Sequence, residues 1–242
     1  MIEPLEPVSH RWDMTEAEAE ALQVRLAPLA AAAPPIALAD VGVVAAIDVA
    51  YDDDAGEAYV GVVAYGYSLP TSPLGLHLGE AGMTAPNRFP YIPGLLSFRE
   101  APVALAALAA LPVRPDLLLC DGHGTAHPRR FGLACHLGLL TGLPSVGCAK
   151  SWLLGDYEEP ARARGAHTPL VDGGEIVGAA LRTRPGSRPV FVSPGYRITL
   201  EQAVAVTNNL NFGHRLPEPA MAAHRLASTV RRAALSARAG RA

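Results

Sequence analysis

Lysine is almost missing from this chain: Lys150 is the only one among 20 Lys and Arg residues. Arginine is a wide planar fork and lysine a slim point charge, so arginine cannot take over a narrow slot beside a metal or a phosphate. A lone lysine is either a surface survivor of a drift towards Arg or a position that needs the slimmer cation. Cysteine is scarce too. Cys120, Cys135 and Cys148 form an odd set without a CxxC pair, each in an apolar stretch. That argues against a disulfide scaffold and a zinc site, and points to buried, reduced thiols. No apolar run reaches ~18 residues, and the N-terminus shows no charged-then-apolar signal pattern, so a soluble, cytoplasmic protein without membrane contact is expected. There is no surplus of positive charge either: the net charge of −3 gives no footprint for sequence-independent nucleic-acid binding.

What is present suits an enzyme. With 242 residues, half of them hydrophobic, the chain fits one α/β domain, globular over about 10–235 with a frayed Arg/Ala tail, and a monomer is expected. Acidic residues at 16, 18 and 20 and apolar ones at helical spacing predict a helix over Thr15–Ala33, stopped by Pro34-Pro35. Two apolar runs, Val41–Tyr51 and Ala58–Tyr67, flank a polar turn with Gly56 and predict an antiparallel hairpin. Ser68–Pro93 reads as a weak third strand and a loop, and Phe98–Leu111 as a helix. Then strand Asp116–Cys120, loop Asp121–Pro128, helix Arg130–Thr141 and strand Leu143–Ala149 form a parallel βαβ unit. A loop over Asp156–Pro169, strands at Glu175–Thr183 and Val190–Val192, and helices over Leu200–Leu210 and Glu218–Arg238 complete a mixed sheet flanked by helices.

Three carboxylates stand out. Asp48 interrupts a run that otherwise wants burial, where an unpaired charge is costly. Asp121 follows a buried strand at its carboxyl end, where open α/β sheets bind ligands, although a turn Asp before Gly122 is the plainer explanation. Glu100 lies near the start of a helix, a position acidic residues favour anyway. Together with Lys150 they can converge at one sheet edge. Oxygen ligands without sulfur suit Mg²⁺ or Mn²⁺, and such ions polarise phosphates and acidify water. This is the equipment for metal-assisted phosphodiester hydrolysis.

Four strings are more specific: Phe89–Glu100 (FPYIPGLLSFRE), Cys120–Arg130 (CDGHGTAHPRR), Gly147–Lys150 (GCAK) and Arg215–Pro219 (RLPEP). In this order they resemble the endonuclease V family of deoxyinosine-directed repair nucleases. The resemblance runs from His10-Arg-Trp-Asp13 to His224. It implies a ribonuclease-H-like α/β fold. It also implies that Asp48, Glu100 and Asp121 bind the metal and act with Lys150 in catalysis, Glu100 and His224 reaching the metal through water. The implied cofactor is Mg²⁺, with Mn²⁺ as a substitute. Tyr91, in Pro90–Gly94, corresponds to a wedge that fills the gap left by an extruded base, a role that suits an aromatic on a rigid loop. Ile92, Pro93, Gly94, Leu95, Leu96, Gly122, His127, Arg129, Gly132 and Leu133 are expected to contact DNA or line the lesion pocket, and His123 to lie on the loop surface. Tyr196 and Met221 depart from residues common in the family, His and Arg.

The implied reaction is cleavage of the second phosphodiester bond 3′ to deoxyinosine, leaving a 3′-hydroxyl and a 5′-phosphate. The partner is then DNA containing deoxyinosine. An endoribonuclease for inosine in RNA is the alternative within the same family. A lesion-binding protein without catalysis is the alternative from another class, and the full set of acids and lysine argues against it.

Overall fold

The computed structural model describes residues 8–67 and 75–240. Helix α1 (Glu16–Ala32) begins with a reciprocal cap: the Thr15 hydroxyl accepts from the Glu18 N–H, and the Glu18 carboxylate accepts from the Thr15 N–H at 2.8 Å. Strands β1 (Val43–Asp52) and β2 (Glu57–Gly66) form the expected hairpin, and β3 (His77–Pro86) adds to its outer edge. The beginning of the expected weak third strand, Ser68–Leu74, lies outside the described residues. Helix α2 (Leu96–Ala109), β4 (Leu117–Cys120), α3 (Leu133–Thr141) and β5 (Ser145–Ala149) follow, with β4 parallel to both β1 and β5. Strands β6 (His167–Asp172), β7 (Glu175–Leu181) and β8 (Val190–Tyr196) and helices α4 (Leu200–Asn209) and α5 (Glu218–Ala239) complete an eight-stranded mixed sheet, ordered β3-β2-β1-β4-β5-β8-β7-β6.

Alternation along the central strands builds a core on each face. Val44, Ala46, Leu117 and Leu119 pack with residues of α4 and α5, whereas Ala45, Ile47, Leu118 and Cys120 pack with α2 and α3. Asp48 continues the even-numbered row and so points to the α5 side. In register with it across the hairpin lie Gly61 on β2 and Gly82 on β3. These small residues leave a trough for α5. A Cβ on Gly61 would collide with the Ala223 carbonyl and come within 2.7 Å of the Ala227 nitrogen. The three cysteines are buried and unbridged, and no described helix is long and apolar enough to cross a membrane.

Three boundaries differ from the sequence reading. Helix α3 starts at Leu133 rather than Arg130, because Arg130 has a left-handed φ of 53° and cannot begin a right-handed helix. The expected loop Asp156–Pro169 ends in strand β6, which tolerates Pro169 because it is the sheet's edge. Strand β8 runs on through Ser193-Pro194-Gly195 to Tyr196, pairing with β5 across a register shift. At the C-terminus, α5 stays helical to Ala239, where Arg238 reaches Asp52 at 3.2 Å.

Candidate active site

Strand β4 ends at Cys120 and β5 at Ala149, so Asp121 and Lys150 leave neighbouring parallel strands side by side. Beside them β1 carries on past its last pairing with β4, which puts Asp48 next to Asp121, whose N–H donates to Ile47 O at 3.0 Å. Helix α2 brings Glu100 and α5 brings His224 to the same cleft, where Asp48, Glu100, Asp121, Lys150 and His224 all line the wall.

The contacts form two groups, one around Lys150 and a separate Tyr51–Glu100 pair. The Lys150 ammonium pairs with Asp121 and stands 3.5 Å from Asp48 Oδ1. His224 Nδ1 lies 3.0 Å from Asp48 Oδ2, and the Tyr51 hydroxyl donates to Glu100. Arg215, from the RLPEP string, donates to the Lys150 carbonyl at 2.5 Å and to the Pro189 carbonyl at 2.9 Å, fixing the backbone from which the lysine projects.

Two of the acids, Asp48 and Asp121, share the lysine, and Arg99 is the cation acting on Glu100. Burial pushes the Glu100 carboxyl up to about 8, the Tyr51 hydrogen bond opposing and the Asp121 and Asp48 charges adding to it. Burial also raises Asp121, as does the adjoining Asp48, with Lys150 acting against both. For Lys150 burial disfavours the charge, but Asp121 and Asp48 outweigh it and hold the ammonium charged. Among the described residues, no three of His, Cys, Asp and Glu converge as a ready-made metal cage. The Lys150 ammonium stands between the two aspartates instead. The donor set, with only oxygens at its centre and a carboxyl forced towards neutrality, fits a hard divalent cation.

Next to the cleft lies a cavity of about 180 Å³, far more than the ~10–15 Å³ a water needs. Of the residues named from the sequence as DNA or lesion contacts, Tyr91, Ile92, Pro93, Gly94, Leu96, His127, Gly132 and Leu133 line it. Three others of that set lie outside the cavity. Leu95 is fully buried among Phe98, Phe131 and α1 side chains. Gly122 lines the acid cleft instead. Arg129 is occupied structurally, donating to Gln23 at 2.6 Å, Glu20 at 2.7 Å and the Gly94 carbonyl at 3.0 Å.

The Gly94 carbonyl is a knot. It accepts from His127 Nε2 at 2.8 Å and Gln23 Nε2 at 3.0 Å as well as from Arg129. Gly94 has φ +81°, and a Cβ there would meet the Arg129 guanidinium at 2.9 Å. The loop is pinned at its base while the Tyr91 ring, 67% exposed, stands at its tip with the Arg99 guanidinium 6.0 Å from its centroid. His123 also departs from expectation: it is half-buried and lines both the cavity and the cleft, and burial lowers its pKa to about 4. Tyr51, Gln23 and Trp152 were missed. Nothing local distinguishes a tyrosine that touches a distant glutamate, but an exposed Trp just after the lone lysine is a readable signal.

Comparison with known proteins gives a consistent result. Residues 29–225 match the family model described as Endonuclease V. An Endonuclease V from Roseiflexus sp. is 54% identical over 185 residues, covering 76% of this chain and 80% of the relative. The crystal structure of the Endonuclease V from Streptomyces avermitilis superposes with a TM-score of 0.83 at 43% identity, covering 96% of this chain and 98% of that one. The Endonuclease V of Ciona intestinalis, solved in complex with a 23mer DNA containing an inosine followed by a ribo-adenosine, has the same fold at 24% identity, with a TM-score of 0.75 over 89% of this chain and 98% of that one.

Proposed function

The chain belongs to the Endonuclease V family, and from that premise we propose that it hydrolyses DNA at deoxyinosine with the help of Mg²⁺, or Mn²⁺ in its place. The observation that carries this reading is the acid–lysine cleft opening beside a cavity whose loop presents an exposed tyrosine. The Ciona relative's inosine-containing DNA supports the choice of substrate.

In this reading the strand enters with the extruded hypoxanthine in the cavity and a phosphate 3′ of it in the cleft. Asp48 and Asp121 would hold the cation, with Glu100 and His224 reaching it through water. When bound, the cation polarises the phosphate and lowers the pKa of the attacking water. The water oxygen bonds to phosphorus at the second phosphodiester 3′ to the lesion as the P–O3′ bond breaks, leaving a 3′-hydroxyl and a 5′-phosphate. The Lys150 ammonium, freed from Asp121, neutralises charge building on the phosphoryl oxygens. Tyr91 fills the stack that the base has left, and the pinned Gly94 keeps it aimed.

The test uses end-labelled oligonucleotides with a single dI or rI, in Mg²⁺ or EDTA, with the parent, Asp48→Ala and Asp121→Ala. Cleavage of the dI strand at the second bond, lost in EDTA and in both variants while lesion binding persists, is expected. Turnover in EDTA, or normal turnover by either variant, overturns the metal assignment. Preference for rI would make RNA the substrate.

A further inference from the structure

Two large aromatic side chains stand exposed at the cavity, and the reading above uses only Tyr91. The other is Trp152, 53% exposed but not loose. Its Nε1–H donates to the Gly155 carbonyl at 2.8 Å, closing a short turn. That turn is tied to the sheet by two hydrogen bonds between Asp156 and Val171, of 2.7 and 2.9 Å. Gly155 makes the turn possible: its φ is +80°, and a Cβ there would come within 2.8 Å of the Val171 carbonyl. The indole is therefore a flat apolar surface held open to water at a fixed place, next to the exposed Leu153.

Its neighbours show what passes by. Lys150 lines only the acid cleft, Ser151 lines both cleft and cavity, and Trp152 lines only the cavity. Three consecutive residues thus step from the reacting phosphate to the rim of the base site. Resting on the reading given under the proposed function, we infer that Trp152 stacks on the open face of the extruded purine and closes the cavity over it. Every base has a π-face, so this stack holds the base without choosing it, and selection stays with the polar groups of the wall.

The chain carries its own probe. Of its two tryptophans, Trp12 packs against His10, Phe98 and His136, away from the cavity. Single strands bearing dI, dA or an abasic tetrahydrofuran at one position are titrated into parent, Trp152→Phe and Trp152→Ala, with Ca²⁺ in place of Mg²⁺. The dI strand is expected to quench the parent's indole emission, and to leave that of Trp152→Phe nearly unchanged. The abasic strand should quench the parent far less. Trp152→Ala should bind the dI strand about tenfold more weakly, and Trp152→Phe within about threefold of the parent. Unchanged affinity in Trp152→Ala, or equal quenching by the dI and abasic strands, overturns the stack while leaving the proposed substrate intact. A parent that binds dI no better than dA overturns the substrate reading itself, and the inference with it.

Discussion

Gly61→Ala tests whether the seat of α5 sets both stability and the cleft. The added methyl would meet main chain on two sides, the Ala223 carbonyl and the Ala227 nitrogen, with Leu226 Cβ at 3.0 Å. Main chain cannot rotate away, so the helix must lift from the hairpin. Overpacking costs about 1–3 kcal/mol, and a two-sided backbone clash belongs at the upper end. At roughly 2–4 °C per kcal/mol for a chain of this size, about 3 kcal/mol lowers Tm by about 6–12 °C. The same shift carries His224 away from Asp48, 3.0 Å distant, so cleavage of a dI strand should fall even well below Tm. Gly82→Ala, one strand further out, is the control. Its methyl would meet the Val230 and Leu226 side chains, at 2.7 and 3.2 Å, rather than main chain, so a loss of about 1 kcal/mol, below that of Gly61→Ala, and near-parental turnover are expected. Calorimetry with single-turnover cleavage decides it. A Gly61→Ala protein melting within about 1 °C of the parent, or one no worse than Gly82→Ala, would refute the packing argument.

Other outcomes follow from the same geometry. Lys150→Arg should be slower than the parent by a factor of about 100, or ~2.7 kcal/mol, in single-turnover cleavage at saturating enzyme, because the fork does not fit between Asp48 and Asp121; a loss under about threefold would show that charge alone suffices. Tyr91→Ala should harm turnover on duplex dI more than on single-stranded dI, since only the duplex must be unstacked; equal losses would take the wedge role away. His136 is buried against Ser97 (2.9 Å) and His10 (2.7 Å), and burial, helped by His10, lowers its pKa to about 3. The unfolded chain therefore takes up this proton first as pH falls below about 6.5, and stability drops by about 1.4 kcal/mol per pH unit towards pH 3. His136→Gln should show a shallower slope between pH 6 and 4 in urea melts, and an unchanged slope would contradict the burial argument.

How far the sequence was readable depended on whether a residue's reason was local. Asp48 was legible because a carboxylate inside an apolar strand has no local purpose, and Asp121 and Lys150 because they close buried runs. The hairpin and the βαβ unit followed from periodicity and turn residues. Strand β6 was hidden because its polar residues and Pro169 fit an edge, where only one side needs pairing. Arg129 was named only as a DNA or lesion contact, and its structural role was hidden because its partners, Glu20 and Gln23, are more than a hundred residues away. Leu95 and Leu96 are adjacent in an apolar string, and only the start of α2 decides that one goes to the core and the other to the cavity.

The three donors on the Gly94 carbonyl have a consequence for how damage is met. A loop that must be ordered on binding gives up part of its interaction energy to that ordering, and one already fixed does not. Here two of the three donors are tied to α1, Gln23 directly and Arg129 through Glu20. Most of that helix precedes the segment matched by the family model. The N-terminal helix is thus a splint for this loop, and in the proposed reading Tyr91 would reach the duplex with its shape already set. On the same reading, cutting the splint without touching the acids would spare phosphate hydrolysis and weaken the search for the lesion.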